Sequence, residues 1–406
     1  MKYEKIVLNE IASVQTGPFG SQLHKKDYVE VGTPIITVEH LGDNKITYQN
    51  LPKVSESDVK RLSKYTLKTN DIVFSRVGSD DRRAIVTKNE NGWLFSGRCL
   101  RIRVHDESVN PVYLSYYFGL SRFKEYIRNI AVGATMPSLN TKILSNIEVE
   151  LPNKITQDEV ARFLNLIDTK IWLNEKIILK LEELAQTLFK HWFVDFEFPN
   201  EEGKPYKSSG GKMVESELGM IPEGWSVDNF EKIITIGSGK RPKSKVDIQD
   251  ENNQIPIIGS SKVMGFTETE LFDESIIVIG RVGTHGVVQR LNVPCWPSDN
   301  TFVLRSKYEE FMYHKLKTID YKSMNRGSTQ PLLTQKDIKN VKVILPSNEL
   351  LMEFEDTQKK FSSKISQLKE ENTKLENLRD TLLPKLLSGE LELPDDMEVT
   401  DDVPIS

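Results

Sequence analysis

Two stretches decide the fold: "GATMPSLNTKILSNIEVELPN", Gly133 to Asn153, and "GSTQPLLTQKDIKNVKVILPS", Gly327 to Ser347. They align without a gap at a constant offset of 194, sharing Gly, Thr, Pro, Leu, Lys, Asn and the closing Leu-Pro. A chain of 406 residues is too long for one ordinary core and suggests two or three domains. The self-similarity says that the domains are copies. Downstream the same offset brings "TKI" (Thr169 to Ile171) onto "SKI" (Ser363 to Ile365), and "TLF" at Thr187 onto "TLL" at Thr381. Upstream the offset grows through insertions: "FSRVGS" (Phe74 to Ser79) matches "IGRVGT" (Ile279 to Thr284), Pro34-Ile35-Ile36 matches Pro256-Ile257-Ile258, and Gly17 meets Gly239. Each half is thus a variable region followed by a long helical pattern.

The variable regions are strand-rich. "DIVFSRV", "CLRIRV", "NIEVELP", "SIIVIGRV", "NTFVLRS" and "NVKVILP" are short Val, Ile and Phe runs bounded by Gly, Pro, Asn or Asp. A helix is expected over Val112 to Ile127 and a shorter one at "EEFMYHKLKTI", which makes the class mixed α and β. From Ile155 to Trp192 the period changes: Ile171, Asn174, Ile178, Leu181, Ala185 and Leu188 recur at alternating spacings of three and four. Adding 194 gives Ile365, Leu368, Asn372, Leu375, Arg379 and Leu382 in the segment Glu349 to Leu387. One heptad seam in one register on both helices predicts a coiled coil between them; the alternative is two helices packed separately on their own domains. Antiparallel pairing would turn the direct repeat into a pseudo-two-fold molecule, with roughly 38 residues spanning ~57 Å of helix. The stretch "NEEGKPYKSSGGKMVESELGMIPEGW" between the halves is rich in Gly, Ser, Lys and Glu and reads as an exposed linker. Order resumes at "IPEGW", where Trp225 is expected to pack on the second region.

With 38% apolar and 28% charged residues, the composition is that of a globular protein, and no apolar run approaches the ~20 residues of a membrane helix. The opening "MKYEKIVLNEIA" lacks the apolar core of a secretory signal. Cys99 and Cys295 stand alone and suit a reducing cytoplasm. The six histidines have no metal-ligand spacing, so no metal is expected. The net charge of -5 argues against nucleic acid only until its distribution is considered. Seven of the 59 acidic residues crowd into "ELELPDDMEVTDD", Glu390 to Asp402, leaving 52 against 54 basic ones in the rest of the chain.

An enzyme finds little support. "GSGKRPKS" at Gly237 lacks the spacing of a nucleotide loop, and GxSxG, HExxH and the Asn-Pro-Pro-aromatic segment of adenine methyltransferases are missing. DNA readout finds more, because it needs Arg, Lys, Asn, Gln, Ser and Thr on loops of rigid platforms. The first half offers Ser21, Gln22, Lys25, Lys26, Arg76, Arg82 and Arg83, with Arg98, Arg101 and Arg103 nearby. The second offers Lys240, Arg241, Lys243, Arg281, His285, Arg326 and Gln330, with Lys245 and Arg290. Arg76 and Arg281 are equivalent, and each precedes Val-Gly. Gln330 can read adenine where its equivalent, Met136, has no strong donor, which suits domains that read different bases. "GPFGSQLHKKDY" (Gly17 to Tyr28) and "GSGKRPKSKVDI" (Gly237 to Ile248) occupy one position in the repeat, and each is either a DNA-facing loop or a plain surface turn.

The ordered set "GPFGSQLHKKDY", "SRVG", "GATMPSLN", "LFKHWFVDFEFP", "LGMIPEGW", "GRVGTHG", "GSTQPLL" and "LRDTLLPKLLSGEL" resembles the specificity subunit of type I restriction–modification systems over nearly the whole chain. The resemblance implies an α+β molecule of two strand-rich target recognition domains joined by two long helices in an antiparallel coiled coil. The expected layout is a first recognition domain over 1–154, a central spacer helix over 155–196 and a linker over 197–221. A second recognition domain over 222–347, a C-terminal spacer helix over 348–388 and an acidic tail over 389–406 follow. It implies a non-catalytic reader of a bipartite double-stranded DNA target, working in the cytoplasm. Its partners would be two modification subunits, which carry the S-adenosylmethionine, and restriction subunits; the chain itself would hold no cofactor. The competing reading is a coiled-coil adaptor that binds protein partners without reading DNA.

Overall fold

The run Ile72-Val73-Phe74-Ser75 is buried at every position, as a central strand covered on both faces must be. The alternation of its side chains sorts them between two cores: Ile72 and Phe74 belong to one, Val73 to the other. The computed structural model describes residues 2–20, 22–77, 82–131, 138–282, 286–321, 323–324 and 332–394. Ser21, Met136, His285, Arg326 and Gln330 lie outside the described residues. The chain forms two compact units, Met1–Glu175 with Lys369–Ser406, and Lys176–Leu368.

In the first unit the strands that carry the site and its flank are β1 (Glu4–Val7), β2 (Ala12–Thr16), β3 (Ile72–Ser75), β4 (Arg83–Ile85), β5 (Cys99–Val104) and β6 (Glu148–Leu151). The main sheet has the order β2-β5-β3-β4, with the short strand Asp43–Asn44 at its edge. Strand β1 pairs antiparallel with β6, Glu4 opposite Leu151. A single helix over Val112 to Ile127 is not what forms. Two helices, Pro111–Tyr117 and Ser121–Ile130, are separated at Phe118–Leu120. At the break Gly119 leaves room for the guanidinium of Arg83, which a Cβ there would strike. The first helix starts where Asn110 accepts from the backbone N–H groups of Val112 and Tyr113, with proline at its first position.

Helix α1 (Lys154–Phe193) follows, and helix α2 (Asn348–Ser388) is its repeat. In the first unit Asp168 of α1 meets Arg379 of α2 at 2.8 Å, and Asn174 donates to Asn372 at 2.8 Å. Ascending one helix descends the other, so the pair is antiparallel. Ile171 and Asn372 are buried in this seam, Leu375 and Leu382 half-buried, and Leu386 and Leu387 enter the first core.

The second unit repeats the plan. Strands β7 (Ser226–Asn229), β8 (Thr235–Ser238), β9 (Ile276–Gly280), β10 (Val288–Leu291), β11 (Thr301–Arg305) and β12 (Lys342–Leu345) give a sheet of order β8-β11-β9-β10, with β7 paired to β12. Strand β9 is buried throughout; Ile277 and Ile279 face one core, Ile276 and Val278 the other. The predicted short helix is present as Glu309–Lys317. The helices pair antiparallel here too, for Gln358 donates to the Ala185 carbonyl at 3.1 Å while Phe354 packs on Phe189 and Trp192. Ile178 and Leu368 are buried, with Leu181, Leu188 and Ile365 half-buried on the same stripe.

The segment between the halves carries structure of its own. Residues 197–221 are largely exposed but not shapeless: Met213–Ser216 and Gly219–Pro222 form a hairpin. Tyr206 stacks on Phe198 at 4.6 Å, and Phe198 on Trp225 at 5.0 Å. Three aromatics scattered through a polar segment are enough to order it. No helix among the described residues is long and apolar enough to cross a membrane.

Candidate nucleic-acid interface

The strand registers bring several loops to one end of each sheet. In the first unit Thr16 lies opposite Leu100, Cys99 opposite Ser75, and Phe74 opposite Arg83. The chain therefore leaves β2 through Gly17 and β3 through Arg76, and enters β5 through Arg98 and β4 through Arg82, all at that end. In the second unit Ser238 pairs with Phe302, Gly280 with Thr301, and Ile279 with Val288. The equivalent end carries Gly239, Arg281, Asn300 and the entry to β10.

The backbone pins at the two ends are the same. Gly17 N–H donates to the Cys99 carbonyl at 3.2 Å, and Gly239 N–H to the Thr301 carbonyl at 3.1 Å. Arg76 N–H donates to the Arg98 carbonyl at 2.9 Å, and Arg281 N–H to the Asn300 carbonyl at 3.0 Å. Leu139 and Leu333, 194 residues apart, donate to the Arg76 and Arg281 carbonyls at 2.9 and 3.0 Å. Only glycine fits where the first loop departs: a Cβ on Gly17 would strike the Ser96 carbonyl, and one on Gly239 the Ser298 carbonyl.

On this common frame the predicted contact residues divide. Lys25, Lys26 and Arg82 in the first unit, and Lys240, Arg241 and Lys243 in the second, are exposed and form no ion pair among the described residues. Arg76 and Arg281 are half-buried, one over the ring of Phe19 at 5.5 Å and the other over Phe302 at 5.4 Å. Their Nε atoms are buried without an acceptor, while Arg76 Nη1 donates to the Gly97 carbonyl at 3.2 Å. Gln22 is tied down, its side-chain oxygen accepting from Tyr65 at 2.7 Å and its carbonyl from Arg61 at 2.6 Å. Lys245 pairs with Asp247 at 2.9 Å.

Several arginines leave the candidate set. Arg83 is 2% exposed, ion-paired with Asp43 at 2.8 Å and donating to the Ser115 carbonyl. It holds the interior together and cannot reach a groove. Arg101 is buried against Gln15 and the carbonyls of Lys64 and Thr66, Arg103 is paired with Asp71 at 2.6 Å, and Arg290 with Glu310 at 2.7 Å. The sequence reading overlooked Phe19, which is 54% exposed beside Arg76; a large apolar side chain between two glycines was the available signal. It also overlooked Asn300, exposed at the start of β11.

At the sheet end burial pushes the Cys99 thiol up to about 12, while the strongest carboxyl and imidazole shifts lie elsewhere. Burial pushes the Glu355 carboxyl up to about 7, although it accepts from the N–H groups of Glu310 and Phe311. Burial, with Arg290 and Lys317 nearby, pulls His314 down to about 3. Both belong to the joint between α2 and helix Glu309–Lys317. Among the described residues no cluster of His, Cys, Asp and Glu could hold a metal. Among the described residues, the two sheet ends present exposed cationic side chains and the Asn300 carboxamide without internal partners, the chemistry of phosphate and base-edge contact.

A family model for the type I restriction modification DNA specificity domain matches residues 1–183 and 222–383. The chain is 27% identical to the specificity subunit of the type I restriction enzyme MjaIX of Methanocaldococcus jannaschii, over 91% of this chain and 89% of that one. It is 23% identical to the HindI specificity subunit of Haemophilus influenzae, over 88% and 95%. The crystal structure of the S subunit of a type I restriction–modification system from M. genitalium superposes with a TM-score of 0.62 at 16% identity, covering 97% of both chains. At that identity the likeness is one of fold.

Proposed function

This chain belongs to the type I restriction–modification DNA specificity family, and from that premise we propose how its residues divide the work. It is the DNA sequence-specificity subunit of a type I complex, non-catalytic itself, reading a bipartite target through two recognition domains and scaffolding the methyltransferase and restriction subunits. We assign the recognition domains to 1–154 and 222–347 and the spacer helices to 155–196 and 348–388, with the cytoplasm as the place of work.

The loop-bearing sheet end of each unit is its DNA-facing surface. The observation that carries this is the recurrence of identical backbone pins under different side chains. A shared ligand would need the same chemistry twice, whereas two half-sites need the same frame and different readers. Lys25, Lys26, Arg82, Lys240, Arg241 and Lys243 then serve mainly as phosphate contacts, and Arg76 and Arg281, half-buried at the strand ends, hold the loops while reaching toward DNA. Ser21, His285, Arg326 and Gln330 remain proposed DNA contacts on the sequence alone, since they lie outside the described residues.

The test uses the assembled methyltransferase complex and a target duplex across a salt series. Replacing Lys240, Arg241 and Lys243 with alanine should weaken binding and flatten the slope of log affinity against log salt by about 2 to 3. An unchanged slope would remove this surface from the interface.

A further inference from the structure

Each unit has a second, smaller sheet, which includes Thr33–Ile36 and Leu94–Phe95 in the first and Ile255–Ile258 and Trp296–Pro297 in the second, and at each sheet end a two-residue tip stands between the chain leaving that smaller sheet and β5 or β11. In the first unit it is Gly97-Arg98, closed by Cys99 N–H donating to the Ser96 carbonyl at 2.9 Å; in the second it is Asp299-Asn300, closed by Thr301 N–H donating to the Ser298 carbonyl at 3.0 Å. The tips are equivalent, because Arg76 N–H and Arg281 N–H bind the carbonyls of Arg98 and Asn300 in turn. Each tip therefore has its backbone fixed on both sides. The side chains of Arg98 and Asn300 are exposed and have no hydrogen-bond or ion-pair partner among the described residues.

That combination separates these two residues from their neighbours. Arg83, Arg101, Arg103 and Arg290 are occupied by internal partners. Lys25, Lys26, Arg241 and Lys243 have no ion-pair partner among the described residues but lie farther along their loops from the strand ends. Arg98 and Asn300 lie between the departing ends of β2 and β3, and of β8 and β9, at the middle of the sheet end. An unoccupied polar group on a rigid backbone is what base discrimination needs, because little ordering entropy is lost on contact. The two side chains also differ as base readers: a guanidinium matches the O6 and N7 acceptors of guanine, and a carboxamide the N6–H and N7 of adenine.

We propose that Arg98 and Asn300 are equivalent specificity-determining residues, Arg98 reading a guanine in one half-site and Asn300 an adenine in the other. The inference rests on the reading that the sheet ends face DNA. Asp299, exposed beside Asn300, adds a carboxylate at that tip where the first unit has Gly97. A carboxylate repels phosphate, so the second tip is suited to base edges and not to the backbone.

The test is sequencing of methylated sites in cells carrying the full complex with Arg98→Lys, Arg98→Gln or Asn300→Asp, alongside binding of the purified complexes to the matched and single-base-changed duplexes. Arg98→Lys keeps the charge and loses the bidentate fork. It should cut discrimination at one guanine about tenfold or more while the other half-site stays as it was, and Asn300→Asp should do the same at one adenine. If Arg98→Lys restores wild-type discrimination and only Arg98→Gln weakens binding, uniformly across sequences, Arg98 is a phosphate contact and the inference fails. An unchanged methylation motif in all three variants also overturns it. The surface reading fails separately, through the salt series of the Lys240, Arg241 and Lys243 variant.

Discussion

The two units solve one mechanical problem with different chemistry. Each must hold its recognition domain rigidly against a pair of antiparallel helix segments. In the first, Leu164, Leu386 and Leu387 pack into the core and an ionic network is added to them: Tyr116 donates to Asp168 at 2.6 Å, Arg379 binds Asp168 at 2.8 Å and Asp43 at 3.4 Å, and Arg83 binds Asp43 from inside. In the second, the positions 194 residues away are Glu310, Ser362 and Ala185, and the joint is filled with rings. Phe193 packs on Phe311 at 4.9 Å and on Phe354 at 4.8 Å, and Phe189 stacks on His314 at 5.5 Å. Only a smaller polar set remains there, with Ser362 donating to Glu310 at 2.8 Å and Arg290 paired with Glu310. The repeat thus conserves the geometry of the joint and not its interactions. A salt-screened joint and an apolar one should fail differently.

The largest effect is expected in the aromatic joint. Phe354→Ala removes a side chain with no exposure and should cost about 3 to 5 kcal/mol, read as a lowered denaturant midpoint for the second unit. Arg379→Met comes next. Its removal leaves Asp168 and Asp43 without their shared cation, but both carboxylates reach solvent, which brings the cost down to about 1 to 3 kcal/mol. Added salt should narrow the gap between wild type and Arg379→Met, and leave that for Phe354→Ala unchanged. If the first-unit joint is as insensitive to salt as the second, the contrast collapses.

A smaller effect sharpens the polar remnant of the second joint. Glu355 is raised from 4.5 to about 7, so between those values the unfolded chain is ionised while the folded chain keeps its proton, and stability falls as pH rises through that window. His314 is lowered from 6.5 to about 3, so there the unfolded chain holds the extra proton and stability falls as pH drops. From pH 4.5 to 6.5 the two slopes oppose. Glu355→Gln leaves His314 alone, and urea melts should then show stability dropping by up to about 1.4 kcal/mol per pH unit below pH 6.5, where the parent chain changes little.

The smallest effect concerns the helix seam of the first unit. Asn174 is fully buried, donates to Asn372 and Glu371 at 2.8 Å, and keeps a buried side-chain oxygen without a donor among the described residues. The pair Asn174→Leu with Asn372→Leu should be neutral or stabilising by about 1 kcal/mol while loosening the choice of pairing. Light scattering should then find mixed oligomers in place of one species.

The features legible in the sequence were those written twice. The gapless alignment at 194 exposed the repeat, and the heptad seam on Ile171 to Leu188 and its copy exposed the paired helices. Both signals are periodic and survive divergence. What stayed hidden depends on partners far apart in the chain. Arg83 reads like any basic loop residue until Asp43, forty positions earlier, is folded against it. Gly119 looks like a tolerable helix residue until that guanidinium fills the space beside it. The hairpin after α1 rests on Phe198, Tyr206 and Trp225, too widely spaced in a polar stretch to show a pattern. The loops proposed to face DNA could be placed as equivalent positions in the repeat, but position alone could not tell exposed arginines from those with internal partners.

The central claim is that each unit reads one half of the target through its own sheet end. Its most direct measurement is the sequence of methylated sites in cells whose specificity chain carries alanine at Lys240, Arg241 and Lys243. The account predicts lost or relaxed recognition of one half-site, with the other half-site and the gap between them unchanged. Relaxation of both half-sites together, or of neither, would contradict it.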